Sequence, residues 1–175
     1  GSEMCIRDRS LKDLLSPSGL MGLDDAVELI IRCMDDQSLI LVVGDFDADG
    51  ATSCALALRA LKAFGHSNVQ FLVPNRFEYG YGLTPPIVDI AARQKPSLIV
   101  TVDNGISSID GVERAAELGI KVLITDHHLP GAELPSADAI VNPNNLGCNF
   151  ESKALAGVGV VFYLLAALRG ELVKR

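Results

Sequence analysis

The stretch LILVVGDFDADG, residues 39–50, decides the fold class. Its first half, residues 39–44, holds no polar side chain. A run that short and that uniformly apolar suits a strand buried on both faces, as in a parallel sheet covered by helices. Its second half turns acidic at once: Asp45, Asp47 and Asp49 alternate along the chain, and Gly50 follows. In open α/β sheets, ligands bind outside the carboxyl ends of the strands. A cluster of carboxylates directly after a buried strand therefore marks a candidate site.

Working outward, the chain alternates strand and helix signals. Residues 50–64 read as a helix, with Leu56, Leu58, Leu61 and Phe64 at apolar positions and Gly65 as its stop. Residues 69–73 form a second strand. Thr84 and Pro85 supply an N-cap and first-turn pair for a helix to about Arg93. SLIVTV (residues 97–102) is a third strand, residues 108–118 a helix stopped by Gly119, and IKVLIT (residues 120–125) a fourth strand. Residues 137–141 give a fifth strand and residues 155–168 a largely buried helix. Before the first strand, residues 24–34 read as a helix. The expected architecture is α/β: a mostly parallel, five-stranded sheet with helices on both faces.

Composition sets outer bounds. The chain has 175 residues, 49% hydrophobic and 21% charged, which suits one folded domain with a real core. Trp is absent and aromatics are 5%, so aliphatic packing must dominate. No apolar run approaches the roughly 18 to 20 residues that span a bilayer, and no signal peptide is visible. Residues 1–9 carry no core pattern and read as a cloning scar or a disordered tail. The cysteines, Cys5, Cys33, Cys54 and Cys148, form no CxxC pair, which disfavours a cysteine zinc site. Cys33 and Cys54 fall in apolar helical patterns and read as buried thiols, as expected for a reducing cytoplasm. The net charge of −7 argues against a broadly basic nucleic-acid surface.

Three strand ends carry polar clusters. The first strand runs into Asp45-Phe46-Asp47-Ala48-Asp49, the third into Asp103-Asn104-Gly105, and the fourth into Asp126-His127-His128. If the strands are parallel, all three fall on one edge of the sheet. One like-charge pair at about 4 Å costs on the order of 4 kcal/mol at an effective dielectric near 20. Five carboxylates in one crevice therefore need protons or cations. Carboxylates joined by imidazoles suit Mn²⁺ or Mg²⁺ better than thiolate-seeking metals. Two such ions can clamp the attacking and leaving oxygens of a phosphoryl transfer.

Each cluster also has a bland reading. DxDxDG opens like a calcium loop, but the position that needs a closing Glu is Leu56, and the preceding segment is a strand. Asn-Gly alone is a strong turn signal, an Asp before paired histidines can cap the next segment, and His66 reads as an ordinary loop histidine. The coincidence of three signals at equivalent strand ends favours the site. Gly80-Tyr81-Gly82 does not open a dinucleotide loop, because Pro85 stands where the third glycine belongs. Arg76 is equally consistent with a phosphate contact or a surface arginine. Gly157 and Gly159 favour close helix packing, with close approach of backbone to a ligand as the alternative.

Asp126-His127-His128 resembles the signature of the DHH phosphoesterase family. GDFDADG (residues 44–50) and TVDNG (residues 101–105) resemble its first two motifs. LVPNRFEYGYGL, VTVDNGISS, TDHHLPG, IVNPN and SKALAGVGV extend the resemblance over residues 39–168, within the branch of single-strand-specific DNA exonucleases. The resemblance implies a Mn²⁺ or Mg²⁺ pair, single-stranded DNA as substrate, and 5′→3′ exonucleolytic release of mononucleotides in DNA repair and recombination.

By motif position it implies Asp47, Asp49, Asp103 and His127 as metal ligands, with Asp103 bridging. His128 would face the scissile phosphate as charge stabiliser or proton donor, and Asp45 and Asp126 would be catalytic or would orient a ligand. Arg76 and Tyr81 become candidates for contacting the DNA strand and its 5′ phosphate. Many family members carry a histidine where this chain has Val43, and a further family motif with a metal-binding aspartate finds no match before Arg175. Residues 10–175 are thus expected to be a DHH domain truncated after its last helix, and to show little nuclease activity alone. A small-substrate phosphoesterase (an oligoribonuclease, a cyclic-dinucleotide phosphodiesterase or a pyrophosphatase) and a non-catalytic scaffold are the rival functions.

Overall fold

The computed structural model describes residues 14–175. Helix α1 (Leu23–Asp35) leads into β1 (Ile40–Gly44), α2 (Ala48–Ala63) and β2 (Val69–Leu72). A single turn, α3 (Arg76–Tyr79), precedes α4 (Pro85–Ala92), β3 (Leu98–Val102), α5 (Ile109–Glu117) and β4 (Lys121–Thr125). The chain then forms β5 (Ala139–Val141) and ends in α6 (Gly157–Lys174). All four strand pairings are parallel, in the order β2-β1-β3-β4-β5. No helix among the described residues is long and apolar enough to cross a membrane.

The alternation of side chains along each strand divides the core in two. Ile40, Val42, Leu98, Val100 and Leu123 pack on one face against α1, α2 and α6. Leu41, Val43, Ile99, Val122 and Ile124 pack on the other against α4 and α5. Because both faces are covered, every residue of β1 and β3 is buried, which is why those strands read as unbroken apolar runs.

Strand order has a consequence for function. From β1 the chain steps outward to β2, then returns to lay β3 on the other side of β1. The carboxyl ends of β1 and β3 therefore bound a topological switch point, where connections leave in opposite directions and open a crevice. Asp45–Asp49 follow β1 and Asp103 follows β3.

Local chemistry moved several boundaries. Helix α2 starts at Ala48 because Asp47 is its N-cap, its carboxylate accepting from Gly50 N at 2.8 Å. Thr84 precedes α4 without a side-chain cap; its hydroxyl donates instead to Tyr79 O at 3.0 Å. Helix α6 starts at Gly157, two residues later than its apolar pattern suggests, and runs on to Lys174. The turn α3 and a 3-10 turn at Pro17–Gly19 were not foreseen. His66 lies in the α2–β2 loop but is fully buried, and burial lowers its pKa. Cys33, Cys54 and Cys148 are buried free thiols, and burial pushes Cys54 up to about 11. Cys5 and residues 1–9 lie outside the described residues.

Candidate metal centre

The three clusters meet at the carboxyl edge of β1, β3 and β4. Asp103 is buried, only 3% exposed, and its backbone adopts the left-handed region (φ 62°). That conformation, tolerated by Asp better than by most residues, turns the chain sharply after β3, while Asp103 N still donates to Thr125 O at 3.0 Å. Asn104 fastens the turn: its Nδ2 donates to Val102 O at 2.9 Å and to Val43 O at 3.2 Å, tying together the ends of β3 and β1.

His127 Nε2 stands 3.0 Å from Asp103 Oδ1 and 3.8 Å from Asp49 Oδ2. Yet Asp103 Oδ1 is buried and receives no hydrogen bond of acceptable geometry. An unsatisfied carboxylate oxygen buried beside an imidazole nitrogen is costly in a metal-free fold. It is the arrangement expected if both lone pairs point at a shared cation. Burial, and then the nearby charge of Asp49, push the Asp103 pKa up to about 6, against an opposing effect of His127. Ligand atoms of Asp103, His127 and His128 lie within 4.8 Å of one another. The residues present therefore fit a hard divalent ion with oxygen and imidazole donors.

Asp49 has a second employment. Its Oδ2 accepts from Gly157 N at 2.7 Å and its Oδ1 from Val158 N at 2.8 Å, so it seats the N-terminus of α6. Each carboxylate oxygen retains a lone pair for a cation. Gly157 is required here because a Cβ would collide with the Asp103 carboxylate. The glycine thus serves close approach of backbone to the site as well as packing. Asp47 adds negative charge felt by Asp103 and His128.

Asp126 is buried, and both of its carboxylate oxygens are taken up by hydrogen bonds. Its Oδ2 accepts from Ile106 N at 2.9 Å; its Oδ1 accepts from His127 N at 2.7 Å and His128 N at 3.1 Å, and bonds His128 Nδ1 at 2.7 Å. This carboxylate orients both histidines and braces the loop after β3. His128, its side chain 48% exposed, looks onto the opening. Burial alone would lower its pKa, but the Asp126 hydrogen bond and the charges of Asp126, Asp103 and Asp47 together raise it. Asp45 is buried, and its Oδ1 accepts from Phe46 N at 2.7 Å. Val43 packs in the core between the sheet and α4, so it offers no substitute for a ligand at that position.

Tyr81 reaches the site, its hydroxyl 3.4 Å from Asp103 O and its ring edge-on to His128 at 6.2 Å. Burial and the surrounding carboxylates hold its phenol protonated, well above its usual range. Arg76 opens α3, and its side chain lies outside the described residues. Two residues without an assigned role in the sequence reading support the signature motif from the segment after β5: Asn142 Nδ2 donates to His128 O at 2.9 Å, and Asn144 Nδ2 to His127 O at 2.6 Å. The polar pair in IVNPN was their only sequence signal.

The family model described as "DHH family, N-terminal domain" matches residues 39–174. The chain belongs to the DHH family. Among its DHH-family relatives, the single-stranded-DNA-specific exonuclease RecJ of Haemophilus influenzae is 56% identical over 164 residues, covering 94% of this chain and 28% of that protein. RecJ of Escherichia coli K12 is 58% identical over 162 residues, with 93% and 28% covered. A crystal structure of exonuclease RecJ bound to manganese superposes with a TM-score of 0.81 at 36% identity, covering 91% of this chain and 40% of that one. The chain thus spans less than a third of the length of these curated relatives.

Proposed function

We propose that this chain, folded as one DHH domain, carries the metal-holding part of an exonuclease that degrades single-stranded DNA from its 5′ end in cytoplasmic DNA repair and recombination. The observation that carries the reading is the buried, unsatisfied Asp103 Oδ1 set 3.0 Å from His127 Nε2. The names of its relatives supply the substrate class.

Asp47, Asp49, Asp103 and His127 would hold Mn²⁺ or Mg²⁺. The imidazole among the donors favours Mn²⁺. A pair of such ions would supply charge neutralisation for the phosphodiester and a water ionised near neutral pH. The rest falls to side chains. His128 has its Nδ1 fixed on Asp126 and its side chain half exposed, which leaves Nε2 for the substrate. Its raised pKa favours the cation, which stabilises a non-bridging phosphate oxygen or gives a proton to the leaving oxygen. Asp126 keeps the ring in that orientation. Tyr81, next to His128, and Arg76 are assigned to the strand itself.

Mn²⁺ titrated into the chain by calorimetry should show saturable binding that an Asp103→Ala/His127→Ala variant lacks; equal binding by both would reject the site. For a chain lengthened to match the relatives, the reading expects Mn²⁺-dependent release of mononucleotides from single-stranded DNA. Cleavage of dinucleotides or pyrophosphate alone would reject the substrate.

A further inference from the structure

Two aromatic rings stand in water at the lip of the metal crevice. Phe77, on α3, is 91% exposed, and Phe46, between Asp45 and Asp47, is 52% exposed. Their centroids lie 6.4 Å apart with the ring planes 25° from parallel, so the two rings stack. Elsewhere the chain buries such a pair: Phe150 and Tyr163 meet edge-on at 5.1 Å inside the core. The exposed pair is nonetheless held in place. Tyr79 packs against the core beside α4 and α5 and anchors α3 from within. Asn75 caps the turn, its Oδ1 accepting from Phe77 N at 3.1 Å and its O from Tyr79 N at 3.0 Å.

Position and surroundings narrow the partner. Phe46 follows β1 and Phe77 follows β2, whereas Asp103 and His128 follow β3 and β4. The rings therefore border the metal centre on the side away from His128. An apolar protein surface laid over them would strip water from the neighbouring Asp47 and Asp49, which is costly for charged groups. A flat base needs only the face of a ring and leaves its sugar and phosphate in water. Every base has a π face, so such a contact tolerates any sequence. In a duplex those faces are already covered by the neighbouring bases.

We propose that Phe46 and Phe77 form a stacking platform for an unpaired base of the strand just outside the metal centre, and that this contact favours single strands over duplex. The proposal rests on the reading above for the presence of a DNA strand at the site, but stacking itself needs no metal. Trp is absent from the chain, so Phe77→Trp places a single fluorescent indole in the platform. In chelator, a thymidine hexamer should quench that fluorescence saturably. A hexamer of the same backbone without bases, and a duplex, should not. Adding Phe46→Ala should weaken the hexamer by about fivefold or more, the lower end of what one base stacked on an aromatic ring contributes. Should Phe46→Ala fail to fold, Phe46→Leu keeps the apolar bulk without the π face and should show the same loss. Equal quenching by the abasic strand or the duplex, no quenching by the hexamer, or an unchanged affinity in the Phe46 variant would overturn the platform. Bases that stack as stated while Mn²⁺ binding fails would leave the platform standing and remove the phosphodiesterase reading; Mn²⁺ binding without stacking would remove the platform alone.

Discussion

Replacing Asp103 by Asn should stabilise the metal-free protein while removing its metal site. Asp103 is 3% exposed, and burial followed by the charge of Asp49 raise its pKa from 3.8 to about 6. Because the folded-state pKa lies above the unfolded one, the folded protein holds the proton more tightly. The carboxyl's contribution to stability is therefore best below about pH 4 and is lost as pH rises through about 6. At about 1.4 kcal/mol per pKa unit, the ionised group costs the fold on the order of 3 kcal/mol at pH 8. Asn has the same shape, carries no charge, and tolerates the left-handed backbone at this position at least as well as Asp.

The assay is thermal and urea unfolding in chelator. At pH 8 the variant should melt higher by roughly 6 to 12 °C, taking about 2 to 4 °C per kcal/mol for a domain of this size. The gain should shrink towards pH 4. Mn²⁺ at about a thousand times its dissociation constant should reverse the order, since it adds roughly 4.1 kcal/mol to the wild type alone. A variant no more stable than wild type at pH 8 in chelator would refute the reasoning, because it would mean that Asp103 bears no electrostatic burden for a cation to relieve.

Other outcomes follow from the same geometry. Mn²⁺ affinity, measured by calorimetry, should rise as pH is raised through about 6 and level off above it, since the proton on Asp103 competes with the ion; a flat profile from pH 5 to 8 would contradict this. Gly157→Ala should destabilise the protein by about 1 to 2 kcal/mol in urea unfolding and weaken Mn²⁺ binding. The overlap with Asp103, of order 1 to 3 kcal/mol, outweighs the up to about 1 kcal/mol that Ala gains in a helix. Asp126→Asn should lower the His128 pKa, read by NMR titration of the ring, because the charge that raises it is gone; an unchanged value would deny Asp126 its orienting role.

Much of this was legible in the sequence because it was local. Residues 39–44, 97–102 and 120–125 are apolar without interruption, since strands covered on both faces admit little else, and their polar ends had to share an edge once the strands were parallel. Strand order was not legible. That β3 returns beside β1 and opens the crevice there is a property of packing, which residue pattern does not encode. The start of α6 was hidden for a similar reason: it is set by Asp49, more than a hundred residues earlier, which receives the N–H groups of Gly157 and Val158. Asn142 and Asn144 belong to the same class, as their bonds to the histidine carbonyls join the segment after β5 to the segment after β4. Within the signature, the resemblance left Asp126 either catalytic or orienting a ligand, and its hydrogen-bond partners were not legible. Only its four bonds separate it from the carboxylates that crowd Asp103.

The most direct test of the metal centre is anomalous diffraction at the manganese edge from crystals of this chain grown with Mn²⁺. The account predicts a peak in contact with both Asp103 Oδ1 and His127 Nε2, at the carboxyl ends of β1, β3 and β4. A fully occupied peak elsewhere, or none between those two side chains at saturating Mn²⁺, would contradict it.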